Sequence, residues 1–423
     1  MNPILDANNL YDGGTAAMKG STFKYSTQWY EMNHLRQTAH LQQELMNGTY
    51  KPTPGRKFKF SERGKTRYIT SNCMDDKTVN HVLCDKVLTP AVKPHLCYDN
   101  GASQKGKGVS FARKRLEIHL HEYFALYGNT GSILLMDFSG YYANIDHRKC
   151  KRILNQLIHP DQLTQTLIDR IFETFELDVS YLPDGEIEIL YHTKVNPMMN
   201  MDVPEELLTG TKMLKKGVDI GNQLSQIIGI AFPYLIDNYI KIVCGMKFSG
   251  RYTDDSYVIY PSKAVLQQVL NGVMKIADDL GLIINRSKTR ICDVSSFFRY
   301  MQIGYKLLDT GRLVRKINPK SVTRERRKLK AYRRLLDDHR IDYPTVENSF
   351  KSWIASHYKL MSHRQVWNMA NLYYDLFGKK VKWKRKHSRL NWLMEHSWKM
   401  SPSTATATSS GVPLVMKSCQ MTI

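Results

Sequence analysis

The sequence predicts an α+β protein in which a ferredoxin-like core precedes a basic, all-helical region. Three observations support this fold class. Strand-like and helix-like segments alternate between residues 131 and 310, as expected for a β-α-β-β-α-β order. From residue 319 onward the pattern is helical and rich in Lys and Arg. Lys and Arg outnumber Asp and Glu by 61 to 39, and the resulting net charge of +22 favours a polyanionic partner.

Composition excludes several classes of protein. With 423 residues, 42% of them hydrophobic and 24% charged, the chain is long enough and apolar enough for two or three domains with buried cores. No apolar run approaches the roughly 20 residues of a membrane span, and the first residues lack the features of a secretory signal. The seven cysteines show no zinc-ligand spacing. We therefore expect a cytoplasmic protein with reduced thiols and no membrane partner.

Residues 1–130 are predicted to be mostly helical. Apolar positions between residues 20 and 50 have helical spacing, and that segment ends at Asn47-Gly48. Residues 65–70 have the composition of a strand. A loop rich in Gly and Lys, residues 98–108, separates two further helical segments.

The core is predicted to begin with a buried strand, residues 133–136, which delivers Asp137 to a turn. A second pair of carboxylates, Asp254 and Asp255, follows Thr253 between two short strands. The other elements expected here are a helix at 147–158, a hairpin at 176–196, a long helix at 222–242, a helix at 262–280, a strand at 282–285 and a hairpin at 297–315.

Asp137, Asp254 and Asp255 are the candidate metal ligands. Clustered carboxylates repel one another and lose hydration on burial, so a divalent cation is what commonly stabilises them. Two such ions would activate a 3′-hydroxyl and stabilise a leaving pyrophosphate. An isolated Thr-Asp-Asp is more often a simple hairpin turn, and adjacent strand residues point to opposite faces, so Asp254 is the stronger candidate of that pair.

The surrounding motifs resemble those of reverse transcriptases. The segment Leu134-Leu-Met-Asp137-Phe-Ser-Gly-Tyr-Tyr142 is similar to the first motif of the catalytic palm in prokaryotic members of that family. The resemblance implies that Tyr142 excludes a ribose 2′-hydroxyl and that the backbone carbonyl of Phe138 is a further metal ligand. A bulky ring in that volume acts as a steric filter.

Four further motifs follow in the family's order. Ile220-Gly-Asn-Gln-Leu-Ser-Gln226 resembles the second palm motif, and Tyr252-Thr-Asp-Asp255 resembles the YxDD box. Residues 281–290 are similar to the motif whose lysine, here Lys288, assists the leaving pyrophosphate, and residues 298–305, with Gly304 and Tyr305, resemble the hairpin that grips the primer end. The resemblance also implies that Gly221 and Gln226 shape the nucleotide pocket and that Tyr252 contacts primer and template.

Basic residues on both sides of these motifs are candidate nucleic-acid contacts. Arg67 and Lys105 stand in segments that resemble the fingers motifs for the incoming triphosphate and template. Residues 311–340 contain twelve Lys or Arg against three acids on a helical pattern, among them Arg326, Arg327 and Arg333. A basic helical thumb would contact a primer–template duplex through phosphates and sugars. The alternative for each of these residues is a solvated surface charge.

The resemblance implies a right-hand polymerase with fingers, a ferredoxin-like palm and an α-helical thumb. The expected domains are a helical lead-in with the fingers at 1–130, the palm at 131–310 with an insertion at about 160–215, the thumb at 311–398 and a disordered, small and polar tail at 399–423. The implied function is RNA-directed DNA synthesis with two Mg²⁺ ions, or Mn²⁺. The implied partners are dNTPs, a primer and an RNA template, with an accessory protein or a second copy left open.

One departure from the common family pattern concerns Gln226. Many reverse transcriptases have Pro at this position, and Ser-Gln resembles enzymes of diversity-generating retroelements and of bacterial phage defence. A flexible amide in place of a rigid ring predicts low fidelity. Three alternatives stay open: a protein-primed or untemplated DNA polymerase, an RNA-dependent RNA polymerase, which Tyr142 disfavours, and a non-catalytic RNA-binding scaffold, which the intact carboxylates disfavour.

Overall fold

The computed structural model describes residues 2–62 and 64–381. Contacts divide the chain into two compact units, one formed by Met1–Met301 with Tyr305–Val314, the other by Gln302–Gly304 with the chain from Arg315 onward. The predicted tail at 399–423, and the part of the predicted thumb beyond residue 381, lie outside the described residues. No helix of the described segments is long and apolar enough to cross a membrane.

The first unit begins with helices, as the sequence predicts, and with a hairpin of which only the second strand was predicted. The elements up to residue 127 are α1 Ala7–Met18, α2 Tyr25–Met32, α3 His34–Met46, β1 Arg56–Glu62, β2 Lys65–Ser71, α4 Met74–Val82, α5 Thr89–Val92 and α6 Val109–Tyr127. The Asp6 carboxylate accepts a hydrogen bond from the Asn9 amide and caps α1. β1 and β2 pair antiparallel over their whole length, and the Gly- and Lys-rich loop precedes α6.

The rest of the first unit is built around a four-stranded antiparallel sheet. Its elements are β3 Ser132–Met136, α7 His147–Ile158, α8 Gln162–Glu173, β4 Leu177–Asp178, α9 Asp184–His192, β5 Met213–Leu214, α10 Gln223–Ala231, α11 Tyr234–Asn238, β6 Ser249–Tyr252, β7 Asp255–Tyr260, α12 Lys263–Leu280, β8 Arg290–Asp293 and β9 Phe298–Tyr300. The strand order is β6-β7-β3-β8. Every residue of the central β3 is buried, because strands pair with both of its edges and α12 packs against the sheet beside it.

The chain passes through this sheet as strand, helices, strand, strand, helix, strand, which is the predicted order. Both ends of α12 are capped. The Ser262 hydroxyl accepts a hydrogen bond from the Val265 amide at its start, and Gly281, with a left-handed φ of +75°, ends the helix. The fourth strand was misplaced by the sequence interpretation. Residues 282–285 do not form a strand, and Ile284 makes only an isolated bridge with Phe138. The fourth strand of the sheet is β8, which pairs with the edge of β3 opposite β7.

Two other predictions in this unit were wrong. The long helix predicted at 222–242 is interrupted at Pro233, which separates α10 from α11 because proline lacks the amide donor. The hairpin predicted at 176–196 is instead a two-residue strand followed by α9. The Lys216 ammonium donates to the carbonyls of Leu190, Tyr191 and Thr193 at 2.8–3.0 Å and thereby caps the end of α9.

The second unit is helical and basic. The strands β10 Ile303–Leu307 and β11 Leu313–Ile317 lie at the change between units, followed by α13 Pro319–Asp337, α14 Tyr343–His357 and α15 His363–Phe377. Asn318, Asp342 and Ser362 cap the three helices, the last in a full capping box. Leu329, Phe350 and Tyr373 belong to the common core of these helices.

Candidate active site

Asp137 lies immediately after the buried central strand β3, with only 5% of its surface exposed. Asn285 holds it twice, since its amide donates to the Asp137 backbone carbonyl at 2.8 Å and its side-chain Nδ2 donates to Oδ2 at 2.9 Å. The Asp137 amide donates to the Thr289 hydroxyl at 3.4 Å. The segment after α12 therefore fixes the orientation of this carboxylate.

Asp254 lies in the turn that joins β6 to β7. Tyr252 and Asp255 pair at the ends of these strands, and Thr253 has a left-handed φ of +54°, which is costly for a β-branched residue. Burial raises the pKa of Asp254 above its usual range. The negative charge of Asp137 also raises it, against the lowering effects of a backbone hydrogen bond, Lys288 and Arg67. The charges of the two carboxylates therefore repel one another.

Lys288 is the cation at the centre of this group. Its Nζ donates to Asp137 Oδ2 in a close ion pair. Partial burial lowers the pKa of Lys288, but its contact with Asp137 and the charges of Asp255 and Asp254 outweigh that effect and raise it. All three predicted carboxylates thus act electrostatically on one ammonium group, which stays protonated at neutral pH.

A divalent cation would have to be held by the carboxylates of this group. The described segments contain no cluster of three or more His, Cys, Asp or Glu side chains with the spacing of a metal site. The repulsion between Asp137 and Asp254 is the feature that fits a cation, because added positive charge between them removes it. The candidate donors are therefore the mutually repelling carboxylates of Asp137 and Asp254, together with Asp255, the first residue of β7.

Tyr142 stands next to this group and is half-buried. A Cβ on Gly229 of α10 would lie 2.5 Å from the Tyr142 hydroxyl, so the ring occupies space that only glycine leaves open. Burial and the charge of Asp254 raise the pKa of Tyr142 to about 12. The phenol is therefore neutral at physiological pH and close to the carboxylate turn.

This arrangement of a strand-end carboxylate, a carboxylate turn and a lysine falls within the segment that a protein-family comparison recognises. The family described as reverse transcriptase (RNA-dependent DNA polymerase) matches residues 51–307, more than half of the chain. The chain belongs to the reverse transcriptase family. A comparison with curated proteins gives no match.

Solved telomerase structures are similar to this reverse transcriptase at low identity. Telomerase from Candida albicans, in complex with a fragment of telomeric RNA, is 13% identical with a TM-score of 0.42, and the match covers 84% of this chain and 63% of that one. Apo telomerase from Candida tropicalis is 13% identical with a TM-score of 0.40, and the match covers 84% of this chain and 68% of that one. The apo form of that telomerase truncated from the C-terminal domain is 12% identical with a TM-score of 0.38, and the match covers 61% of this chain and 54% of that one. The chain thus spans less than two thirds of two of these proteins.

Other predicted nucleotide-site residues lie at varying distances from the carboxylates. Arg67, on β2, is exposed and close enough for its charge to lower the pKa of Asp254. Gly221 has a φ of +119°, and a Cβ there would lie 2.5 Å from the Thr70 carbonyl, so it permits close approach of β2. Gln226 is exposed on α10, and Lys105 is exposed on the loop before α6. No contact joins these last two to the carboxylates in the described residues.

The predicted primer and template residues are distributed over three elements. Tyr252 is half-buried on β6 and packs against the main core. Gly304 is in β10, where Tyr305 is fully buried and its ring stacks on Phe298 with centroids 5.9 Å apart. The three predicted arginines of the second unit, Arg326, Arg327 and Arg333, are all exposed on α13.

Sequence reasoning missed the polar residues that support the site. Asn285 was part of a recognised motif, but its double contact with Asp137 depends on a loop conformation that sequence spacing does not specify. Arg251 is 2% exposed and pairs with Asp237 of α11. The available signal for this residue was an arginine at an inward-facing position of β6.

Proposed function

We propose that this reverse transcriptase is an RNA-directed DNA polymerase that makes cDNA by two-metal nucleotidyl transfer. The observation that carries the proposal is the ion pair of Lys288 with Asp137 at the end of β3, together with the repulsion between Asp137 and Asp254 in the turn after β6. Family membership supplies the reaction class. Opposed, partly desolvated carboxylates are what such a reaction needs to hold cations.

In this proposal each residue has a separate task. Asp137 and Asp254, with Asp255 and the carbonyl of Phe138, hold two Mg²⁺ ions, or Mn²⁺, which when bound lower the pKa of the 3′-hydroxyl and stabilise the pyrophosphate. Asn285 and Thr289 orient Asp137 through the contacts described above. Lys288, protonated at neutral pH, donates a hydrogen bond to the leaving pyrophosphate when the nucleotide displaces it from Asp137.

The remaining site residues select and place the nucleic acids. Tyr142 excludes a ribose 2′-hydroxyl, and Arg67 meets the triphosphate. Gly221 and Gln226 shape the pocket for the templating base, and Lys105 contacts the template strand. The electrostatic effects of Arg67 on Asp254 and of Asp254 on Tyr142 support the first two assignments. Tyr252, Gly304, Tyr305 and the arginines of α13 are assigned to primer and template, Tyr305 through packing because its ring is buried.

The same proposal divides the chain into the parts of a right-hand polymerase. The fingers would be residues 1–130, the palm 131–310 with the insertion at about 160–215, and the thumb the helical unit that begins near residue 311. The ferredoxin-like order of the four-stranded sheet supports the palm assignment. The net charge of +22 supports an RNA template, a primer and a soluble, cytoplasmic setting among polyanions.

The biological setting we propose is a bacterial or phage retroelement of the diversity-generating type, or an antiviral defence system. The residue that supports it is Gln226, which stands where many relatives have proline. Its side chain is exposed on α10, and we propose that a flexible amide here, in place of a rigid ring, lowers fidelity. Replacing Gln226 with Pro should reduce the error rate, and an unchanged error spectrum would contradict this part.

The central experiment is primer extension on a defined RNA template with dNTPs and Mg²⁺. The wild-type chain should extend the primer, and EDTA should stop the reaction. Asp254→Asn should lower the rate roughly a thousandfold, the effect of losing several kcal/mol of cation-mediated stabilisation. Asp279→Asn, an exposed carboxylate on α12, is the matched control and should have no effect.

Other outcomes of that experiment would favour the alternative functions. DNA whose sequence does not follow the template would indicate untemplated or protein-primed synthesis. Equal use of rNTPs would indicate an RNA polymerase and contradict the assignment of Tyr142. RNA binding without any synthesis in the wild type would indicate a non-catalytic scaffold.

A further inference from the structure

Arg251 forms a buried ion pair beneath the carboxylate turn. Its Nε donates to both oxygens of Asp237 at 2.8 and 3.1 Å, and its Nη2 donates to Oδ2 at 2.7 Å. The two side chains are 2% and 9% exposed. Burial alone would lower the pKa of Arg251. The charge of Asp237 and its hydrogen bonds to the guanidinium outweigh this effect and raise the pKa above its already high value. A buried pair of this kind is a weak source of stability, because desolvation offsets most of the attraction.

The other donors of Arg251 reach two separate elements. Nη1 donates to the Thr253 carbonyl at 3.1 Å and more distantly to the Gly229 carbonyl at 3.3 Å, and Nη2 donates to the Ile230 carbonyl at 2.9 Å. One planar fork therefore joins the turn after β6 to the helix α10. A lysine could keep the ion pair with Asp237, but it lacks this fixed fork geometry.

Both ends of this connection carry residues of the candidate site. Thr253 holds the strained left-handed φ that directs Asp254. Gly229 provides the space in which the Tyr142 ring lies, and its carbonyl also accepts from the Tyr141 hydroxyl at 2.9 Å. Arg251 therefore connects the turn that carries Asp254 to the part of α10 beside the Tyr142 ring.

We propose that Arg251 is a positioning residue that holds the Asp254 turn and the seat of Tyr142 in one fixed relation. Sugar discrimination and cation affinity then depend on the same guanidinium, although it contacts neither nucleotide nor cation. This inference rests on the proposed polymerase function for its kinetic consequences. Its structural content, a mechanical link between the turn and α10, does not depend on that function.

The kinetic test compares Arg251→Lys with wild type in primer extension. The ratio of kcat/KM for a dNTP to that for its rNTP should fall about tenfold, the scale of a loosened steric pocket, and half-saturation should require several-fold more Mg²⁺. A role in stability alone would reduce the active fraction and leave both of these quantities unchanged. Arg152→Lys, an exposed arginine on α7, is the matched control.

Hydrogen exchange tests the link independently of activity. In Arg251→Lys, peptides covering Tyr252–Asp255 and Gln223–Ala231 should exchange faster, while those of α13 should be unchanged. A second variant, Arg251→Met with Asp237→Leu, replaces the ion pair by apolar groups and should keep the melting temperature near that of wild type. It should nevertheless reproduce the faster exchange and, in an active protein, the lower sugar discrimination.

The two proposals fail in different ways. A wild type without primer extension refutes the polymerase function, and faster exchange in the variants would still support the link. Unchanged exchange in both variants overturns the role of Arg251 whatever the activity. Unchanged sugar discrimination and Mg²⁺ dependence in an active Arg251→Lys protein overturn it as well.

Discussion

At the scale of single residues, the carboxylates of the candidate site were visible in the sequence and their supports were not. Asp137 and Asp254 stand in motifs whose order and spacing are recognisable, and the structure brings their charges together. Asn285 contacts Asp137, which lies 148 positions earlier in the sequence, and Arg251 contacts Asp237, which lies 14 positions earlier. Such contacts depend on the fold as a whole, so a local pattern does not reveal them.

The repulsion between the carboxylates predicts a gain in stability when one is neutralised. The folded-state pKa of Asp254 is raised above its unfolded value, so its ionised form destabilises the fold above the unfolded pKa, and the penalty disappears as pH falls. Asp254→Asn should therefore unfold at higher urea than wild type at pH 7, with little difference near pH 3. Equal urea midpoints at pH 7, measured without divalent cations, would contradict this expectation.

The ring of Tyr142 predicts a specific loss of sugar selection. Tyr142→Ala empties the volume next to Gly229 and should raise the relative use of rNTPs by about 10- to 100-fold, as expected for removing a steric barrier. Tyr142→Phe keeps the ring and is the matched control. Single-nucleotide incorporation with paired dNTP and rNTP measures the effect, and equal ratios in the Ala and Phe variants would show that the ring is not the filter.

At the scale of elements, the sequence indicated most helices, and it failed where a distant residue decides the local structure. α9 occupies a segment whose Pro-Asp-Gly and alternating residues favour a hairpin. The helix forms there because the Lys216 ammonium donates hydrogen bonds to the carbonyls at its end. The lysine follows α9 by more than twenty positions, beyond the range of local patterns. Pro233, by contrast, was a local helix breaker that the apolar periodicity of residues 222–242 concealed.

The close approach of Gly221 to β2 predicts a loss of stability that is independent of the proposed role of this residue in the nucleotide pocket. Because a Cβ would lie 2.5 Å from the Thr70 carbonyl and φ is +119°, Gly221→Ala should separate α10 from β2 and cost about 1–3 kcal/mol. Gly210→Ala is the control, since its φ is +71° and no atom lies within 4 Å of the added Cβ. Urea unfolding should show a clearly larger loss for Gly221→Ala, and equal losses would mean that strain alone matters.

At the scale of the whole molecule, charge was the most informative property of the sequence. The excess of Lys and Arg is dense between residues 311 and 340, and the structure places that segment largely on α13, with Glu325 and Leu329 buried. Most of the exposed positions of this helix are Lys or Arg. Net charge does not specify a fold, but it determines how affinity for a polyanion depends on salt.

The arginines of α13 provide the test of this surface, because they differ in how firmly they are held. The guanidinium of Arg333 pairs with Asp337 at 2.8 Å and donates to the Leu376 carbonyl at 3.1 Å, whereas Arg326 and Arg327 are exposed on the same helix. Arg326→Gln with Arg327→Gln should weaken binding of an RNA–DNA duplex and lower the slope of log affinity against log salt by about one unit per arginine. Arg333→Gln should change the slope less, because its charge is already neutralised in part.

Fluorescence anisotropy at several salt concentrations measures these slopes. Identical slopes for the double variant and wild type would mean that this face of α13 does not touch the phosphates, and the assignment of this unit as a thumb would lose its physical basis.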